Sequence, residues 1–305
     1  MKKQSPPQIG LLCRRVLLTG VLLSGVLPAG ILPKTAGLFA IDWPHAEAKM
    51  VANFGRNNGG RPLLGVVFEA PGSIRAADKG ELLYTRSEGD TASRLPSPLG
   101  AWIALDHGDG IVSIYSRFEE AGNGNLSGDV YPGRIIASAG RSGWSRNEGF
   151  YFSIFDRKER RWVNPSMIIA PAADAEQPVI KSVELKNSEG RSINPAQTRN
   201  ISQGHYTISV NASLSPPDLA LAPYQILCSV NGTEIGALNF ETFSARDGVL
   251  MVYRNGLVPV KQVYIPYPGF EVGELWFNRG QATLEVIARD IQGSARSLTF
   301  HLQVD

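Results

Sequence analysis

Beyond residue 48 the apolar residues do not recur at the three-to-four spacing of a helix face. They come in short blocks or in strict alternation, broken by Gly-Asp, Asn-Gly and Pro-Gly pairs. That pattern predicts strands. In the first half they fall at 63–68, 101–105, 111–115, 134–137 and 150–155. After Pro178 a second set falls at 179–185, 205–210, 224–230, 249–253, 282–289 and 297–304. In the last of these Leu298, Phe300, Leu302 and Val304 share one face. Asn231-Gly232 suits a tight hairpin turn, and the segment from Asp290 to Gly293 a turn before the final strand. The expected class is all-β: an antiparallel β-sheet core domain followed by an immunoglobulin-like β-sandwich that lacks the disulfide cysteines of that fold.

The stretch from Ala170 to Pro178 is small, polar and flanked by proline, the best linker in the chain. It divides the sequence into residues 49–170, a linker at 171–178, and residues 179–305. The halves show no internal repeat.

The N-terminus has a different character. Lys2, Lys3, Arg14 and Arg15 precede 18 uncharged residues, 16–33, and Ala46-Glu47-Ala48 offers small residues where a signal peptidase reads them. Residues 1–48 therefore read as a signal peptide, which implies export to the periplasm or cell envelope. The alternative is an uncleaved N-terminal anchor, because 18 residues approach spanning length. Pro28, Pro33 and the internal glycines weaken a continuous helix and favour cleavage. Cys13 precedes the apolar run and is badly placed for a lipid anchor. Cys228, in a strand-like run, is the one thiol left after cleavage and reads as a buried core group.

Composition narrows the function classes. With 305 residues, 43% of them hydrophobic, the chain can bury a sizeable core. Its 30 basic and 28 acidic residues leave a net charge of +2, a balance that does not suggest a nucleic-acid protein, which would normally carry a concentrated basic stripe. No GxSxG elbow, Walker loop or HExxH motif occurs. The glycine-rich segment 122–128 lacks the spacing of a phosphate loop and reads as a hairpin loop. The run from Arg157 to Arg161 reads as a solvated hairpin tip, with contact to anionic wall polymers or lipid headgroups as the alternative.

A series of segments, in order, carries a family resemblance. Asn53-Phe54-Gly55-Arg56 opens the series, and residues 65–77 continue it (Gly-Val-Val-Phe-Glu-Ala-Pro-Gly-Ser-Ile-Arg-Ala-Ala). Residues 103–110 (Ile-Ala-Leu-Asp-His-Gly-Asp-Gly) lead into 113–117 (Ser-Ile-Tyr-Ser-Arg), then 130–143. Residues 149–154 (Gly-Phe-Tyr-Phe-Ser-Ile) and Val163-Asn164-Pro165 close the series. In this register residues 53–169 resemble the sheet core of the LytM/lysostaphin family of zinc endopeptidases. The resemblance implies a zinc held by a histidine, an aspartate four residues later, and the second histidine of an HxH strand, with two further histidines assisting. Here the three ligand positions read Leu63, Val67 and Tyr151, and the assisting positions read Arg117 and Gly149. Leucine and valine have no lone pair to give, and a guanidinium repels a cation. His107 matches a turn position of the family, while His205 and His301 fall in the second half. A site rebuilt from His107, Asp106 and Asp109 is the alternative, against solvated turn carboxylates.

The resemblance thus implies a domain with no catalytic residues, no metal and no cofactor. Tyr115, Arg117 and Tyr151 are the candidate groove-binding residues, with Trp144 at the border. Strand alternation puts Tyr151 in the groove and Phe150 and Phe152 in the core. An equal reading is that Arg117 and Tyr151 only fill space. Degenerate members of the family bind peptidoglycan or activate a separate wall hydrolase. The expected function is therefore a non-catalytic envelope protein with peptidoglycan or such a hydrolase as partner. It would touch the membrane only through an uncleaved N-terminal segment. Two alternatives stand beside it: a zinc-dependent peptidoglycan endopeptidase with a remodelled site, and an interaction protein acting through its sandwich.

Overall fold

Strands form where β-branched and aromatic residues alternate with polar ones, and they make up most of the described residues. The computed structural model describes residues 42–87, 96–121, 126–169, 177–216, 219–266 and 269–305. Phe39–Asp305 make one compact unit. Among the described residues no helix is long and apolar enough to cross a membrane. The proposed linker lies almost wholly outside the described residues, as do residues 1–41 and most of the glycine-rich segment.

Among the described residues the first half holds ten strands: β1 (Lys49–Ala52), β2 (Val66–Glu69), β3 (Ser73–Arg75), β4 (Gly80–Arg86) and β5 (Ala101–Asp106), then β6 (Ile111–Ala121), β7 (Asp129–Val130), β8 (Ile135–Ala139), β9 (Gly149–Asp156) and β10 (Arg161–Val163). They pair antiparallel in the order β7-β4-β5-β6-β9-β2-β1, with β8 on the far end of β6 and β3 on β8. One face of this sheet is the core. Tyr115, Phe118, Phe150 and Phe152 are fully buried there with Ile74, Ile103 and Leu105. Phe68 stacks on Phe150 at 4.9 Å between ring centres. Such ring pairs add about 0.5–1.5 kcal/mol beyond the area they bury.

The second half is a β-sandwich of β11 (Pro178–Asn187), β12 (Ser192–Ile193), β13 (Asn200–Ile201), β14 (Gly204–Leu214), β15 (Gln225–Val230) and β16 (Thr233–Arg246), then β17 (Val249–Arg254), β18 (Leu257–Pro259), β19 (Phe270–Phe277), β20 (Gly280–Arg289) and β21 (Ala295–Val304). One sheet runs β12-β11-β14-β19. The other runs β13-β21-β20-β15-β16-β17-β18. Asn231 and Gly232 join β15 to β16 with φ of 51° and 78°, the left-handed pair that a two-residue turn needs. Asp290 ties the turn before β21 by accepting the Ser294 N–H at 2.7 Å.

The halves are joined by more than a chain. One edge of β9 is shared between β2 and β10, and β10 pairs on its other side with β16, Val163 opposite Thr242. Phe54, from the first half, is buried in the sandwich core with its ring 5.1 Å from Phe243. The Tyr264 hydroxyl donates to the Gly55 carbonyl at 2.6 Å.

Two expectations change. Residues 42–48, assigned to the departing signal, are built into the fold. Trp43 packs edge-on against Phe68 and Phe152, and the Arg75 N–H donates to the Pro44 carbonyl at 2.9 Å. The strand expected from residue 63 starts at Val66, because Leu63 spends both its backbone groups on Gly55 and Arg56.

Candidate functional site

The face of the first sheet opposite its core carries a row of residues in register. Val67 on β2 lies opposite Tyr151 on β9, Tyr151 opposite Ser116 on β6, and Ser116 opposite Trp102 on β5. Alternation along β9 sends Phe150 and Phe152 into the core and Tyr151 to this outer face. The expected side is the observed one, but the face is not open: Tyr151 is only 8% exposed. Its ring is close-packed from above. A Cβ added to Gly65 would come within 2.7 Å of the ring's Cζ, so the backbone at Gly65 lies directly against the phenol.

Arg117 reaches this face through a bulge. Ala101 pairs with Phe118 and Trp102 with Ser116, which leaves Arg117 as the extra residue. Its φ of 72° is left-handed, a conformation costing about 1–3 kcal/mol for a non-glycine residue. The N–H of Arg117 is held by the Leu99 carbonyl at 2.9 Å. Without the extra residue, alternation would send Arg117 to the core side with Tyr115. With it, Phe118 returns to the core and the Arg117 guanidinium lies over the Tyr151 ring, 5.6 Å from its centre.

Two polar atoms here have no protein partner among the described residues. They are the hydroxyl of Ser116, which is fully buried, and Nε of Arg117. A buried polar group left unpaired costs about 1–3 kcal/mol. No ion pair among the described residues includes Arg117. Burial pushes its pKa down, opposed by Tyr151.

Tyr115 is placed otherwise than expected. It is fully buried in the core, where its oxygen accepts the Ala77 N–H at 3.0 Å, so it borders no groove. Burial raises its pKa to about 12. Trp144 is the most exposed large apolar side chain described, at 76%.

The donor set at the three ligand positions does not fit zinc. Leu63 and Val67 offer hydrocarbon. Tyr151 would have to ionise to bind, and burial raises its pKa to about 12, so it stays a neutral phenol beside a guanidinium. Among the described residues no three His, Cys, Asp or Glu side chains gather where they could hold a metal. His107 is engaged elsewhere, with Nδ1 2.7 Å from the Lys79 carbonyl and Nε2 2.6 Å from the Ser113 hydroxyl. Asp106 pairs with Arg157, and Asp109 with Lys158 at 3.3 Å. Those pairs also answer part of the basic run with local acid. His205 approaches Glu274 at 3.8 Å and His301 approaches Thr283 at 3.3 Å, both within the sandwich. The Cys228 thiol is buried and pushed up to about 12, which suits a core group and not a nucleophile.

A cleft of about 530 Å³ went unseen in the sequence. Trp43, Met50, Phe68, Leu219, Pro223 and Ile291 are among its lining residues. It is built from segments remote in sequence and includes residues assigned to the signal, so no local pattern marks it.

The described chain is thus an all-β protein, an antiparallel sheet half joined to a β-sandwich half. A protein-family model matches residues 177–305, the sandwich. No curated protein matches the chain. Thirty-four chains of solved structures do. One is the catalytic domain of the prophage-encoded protein EnpA from Enterococcus faecalis, at 21% identity and a TM-score of 0.33, covering 39% of this chain and 88% of that one. Another is the catalytic domain of the antimicrobial peptidase lysostaphin from Staphylococcus simulans, at 18% identity and a TM-score of 0.31, covering 36% of this chain and 81% of that one. A third is a chain of the SpoIIQ–SpoIIIAH pore-forming complex, at 14% identity and a TM-score of 0.35, covering 44% and 92%.

Proposed function

We propose that this chain is an exported cell-envelope protein whose peptidase-like half, residues 49–170, binds peptidoglycan without cutting it. The observation that carries this reading is a convergence. Positions 67, 117 and 151 are far apart in sequence, and the resemblance assigns all three to one zinc centre. In the fold Val67 lies opposite Tyr151 and Arg117 covers the Tyr151 ring. This convergence supports reading the face as a zinc centre that has lost its ligands. Zinc hydrolysis needs imidazole, thiolate or carboxylate ligands with an open coordination position, and this set offers one un-ionised phenol.

The sandwich, residues 179–305, serves in this reading as an immunoglobulin-like spacer that positions the first half or holds a partner such as a wall hydrolase. The test is co-sedimentation of the purified chain with sacculi, with metal analysis and muropeptide release measured on the same sample. Sedimentation without bound zinc or released fragments is the expected result. Stoichiometric zinc together with released muropeptides would overturn it in favour of a remodelled endopeptidase. Failure to sediment would leave the sandwich as the acting part. Export is checked separately, by fractionating cells that make the full chain.

A further inference from the structure

We propose that the centre at Ser116, Arg117 and Tyr151 has become an anion site, one that takes a single carboxylate such as a peptide C-terminus. This rests on the reading above and adds the ligand's chemistry. Three independent features point the same way. Arg117 is a half-buried cation that no acidic side chain among the described residues pairs with. Its Nε and the adjacent Ser116 hydroxyl are both buried without a protein partner. A left-handed bulge holds the guanidinium over Tyr151, where plain alternation would have sent it elsewhere.

Donors that the protein leaves unsatisfied at neighbouring positions mark where an acceptor from outside fits. A guanidinium edge presents parallel N–H groups that match the two oxygens of a carboxylate. The Ser116 hydroxyl, fully buried beside it, adds one more donor once the ligand displaces the side chains that cover it. The Tyr151 ring lies under the cation, and Trp102 is the cross-strand neighbour of Ser116. Phosphate, with more charge and more oxygens, would want further cations, and Arg117 is the one this centre brings to the Tyr151 ring. Where the family's chemistry calls for a cation, this face offers a fixed positive charge.

The test uses acetyl-alanyl-alanine with a free C-terminus, the same peptide as its C-terminal amide, and inorganic phosphate. Each is titrated into the full chain by calorimetry or by following Trp and Arg side-chain NMR signals. The acid is expected to bind, and the amide and phosphate to bind weaker by about tenfold or more. Arg117→Gln and Ser116→Ala should each weaken the acid, the arginine change by about tenfold or more. Arg157→Gln, which removes a surface cation paired with Asp106, should leave binding unchanged. Ser116→Ala deletes only an unpartnered hydroxyl, so it keeps the test valid if Arg117→Gln fails to fold. Equal binding of acid and amide, tighter binding of phosphate, or unchanged binding by both variants would overturn the proposal. If sacculi still sediment with Arg117→Gln, the carboxylate site fails while wall binding stands. If the acid binds and sacculi do not, the reverse holds.

Discussion

The side-chain amide of Asn53 pairs with both backbone groups of Ala222, donating to its carbonyl and accepting from its N–H, each at 2.7 Å. One side chain thus does the work of a strand partner between segments 169 residues apart. Together with the β10–β16 pairing and Phe54 in the sandwich core, it binds the two halves into one cooperative body. Asn53→Ala leaves a donor and an acceptor of the buried Ala222 unpaired, so a loss of about 2–3 kcal/mol is expected. Denaturant unfolding followed by Trp fluorescence and by circular dichroism should show a single shared transition in the parent protein. Two separated transitions would contradict the joint.

Gly65 is the second sensitive point. Its missing side chain makes room for the Tyr151 ring and the Ser153 side chain, and the Phe152 carbonyl oxygen stands closer still to where a Cβ would sit. Gly65→Ala should therefore destabilise by about 1–3 kcal/mol, the usual range for overpacking. Adding Tyr151→Ala should not restore the loss, because the backbone obstacle remains. Thermal melts of the single and double variants decide this, and full rescue would show that the phenol alone sets the constraint.

High pH tests the buried phenols. Tyr115 and Tyr151 are both raised from the ordinary tyrosine value of 10 to about 12 in the fold. Raised values mean that the folded protein holds these protons more tightly than the unfolded chain. Their contribution is fully present below pH 10 and is lost as pH rises through about 12. The loss is on the order of 3 kcal/mol for each ring. Denaturant titrations from pH 9 to pH 12 should show stability falling with pH. Tyr151→Phe should make that fall shallower without abolishing it, since its phenyl ring has no proton to lose while Tyr115 keeps its own.

Much of this fold was legible because burial imposes a period on the sequence. β5, β9, β15 and β20 were readable for that reason: each alternates or runs apolar between clear turn signals. The strands that went unread lack that contrast. β4 is largely exposed, so its residues bear little hydrophobic signature. β16 and β19 approach each other so closely at Gly236 and Gly273 that neither position admits a side chain, which breaks the apolar pattern just where they pack. At the candidate site, alternation along β9 made the outward side of Tyr151 legible. What the sequence concealed was depth and strain. Nothing local tells that Tyr115 turns into the core, or that a left-handed residue brings Arg117 to the same side as Tyr151. Both depend on register with strands distant in the chain.

The N-terminal boundary gives the last prediction. A chain beginning at Lys49 would lack Trp43, whose ring lies 5.3 Å from that of Phe68 and 6.3 Å from that of Phe152. It would also lose the Pro44 carbonyl that accepts the Arg75 N–H and the Asp42 N–H that donates to Ala77. Trp43 is half-buried, so removing its contacts should cost roughly 2 kcal/mol, below the range for a fully buried Trp. A chain beginning at Asp42 keeps all of them. Comparing the two by thermal unfolding should show the shorter one melting lower, by about 2–4 °C for each kcal/mol lost in a protein of this size. If the two melt together, residues 42–48 contribute nothing to the fold, and the small-residue pattern at Ala46 and Ala48 regains its standing as the processing site.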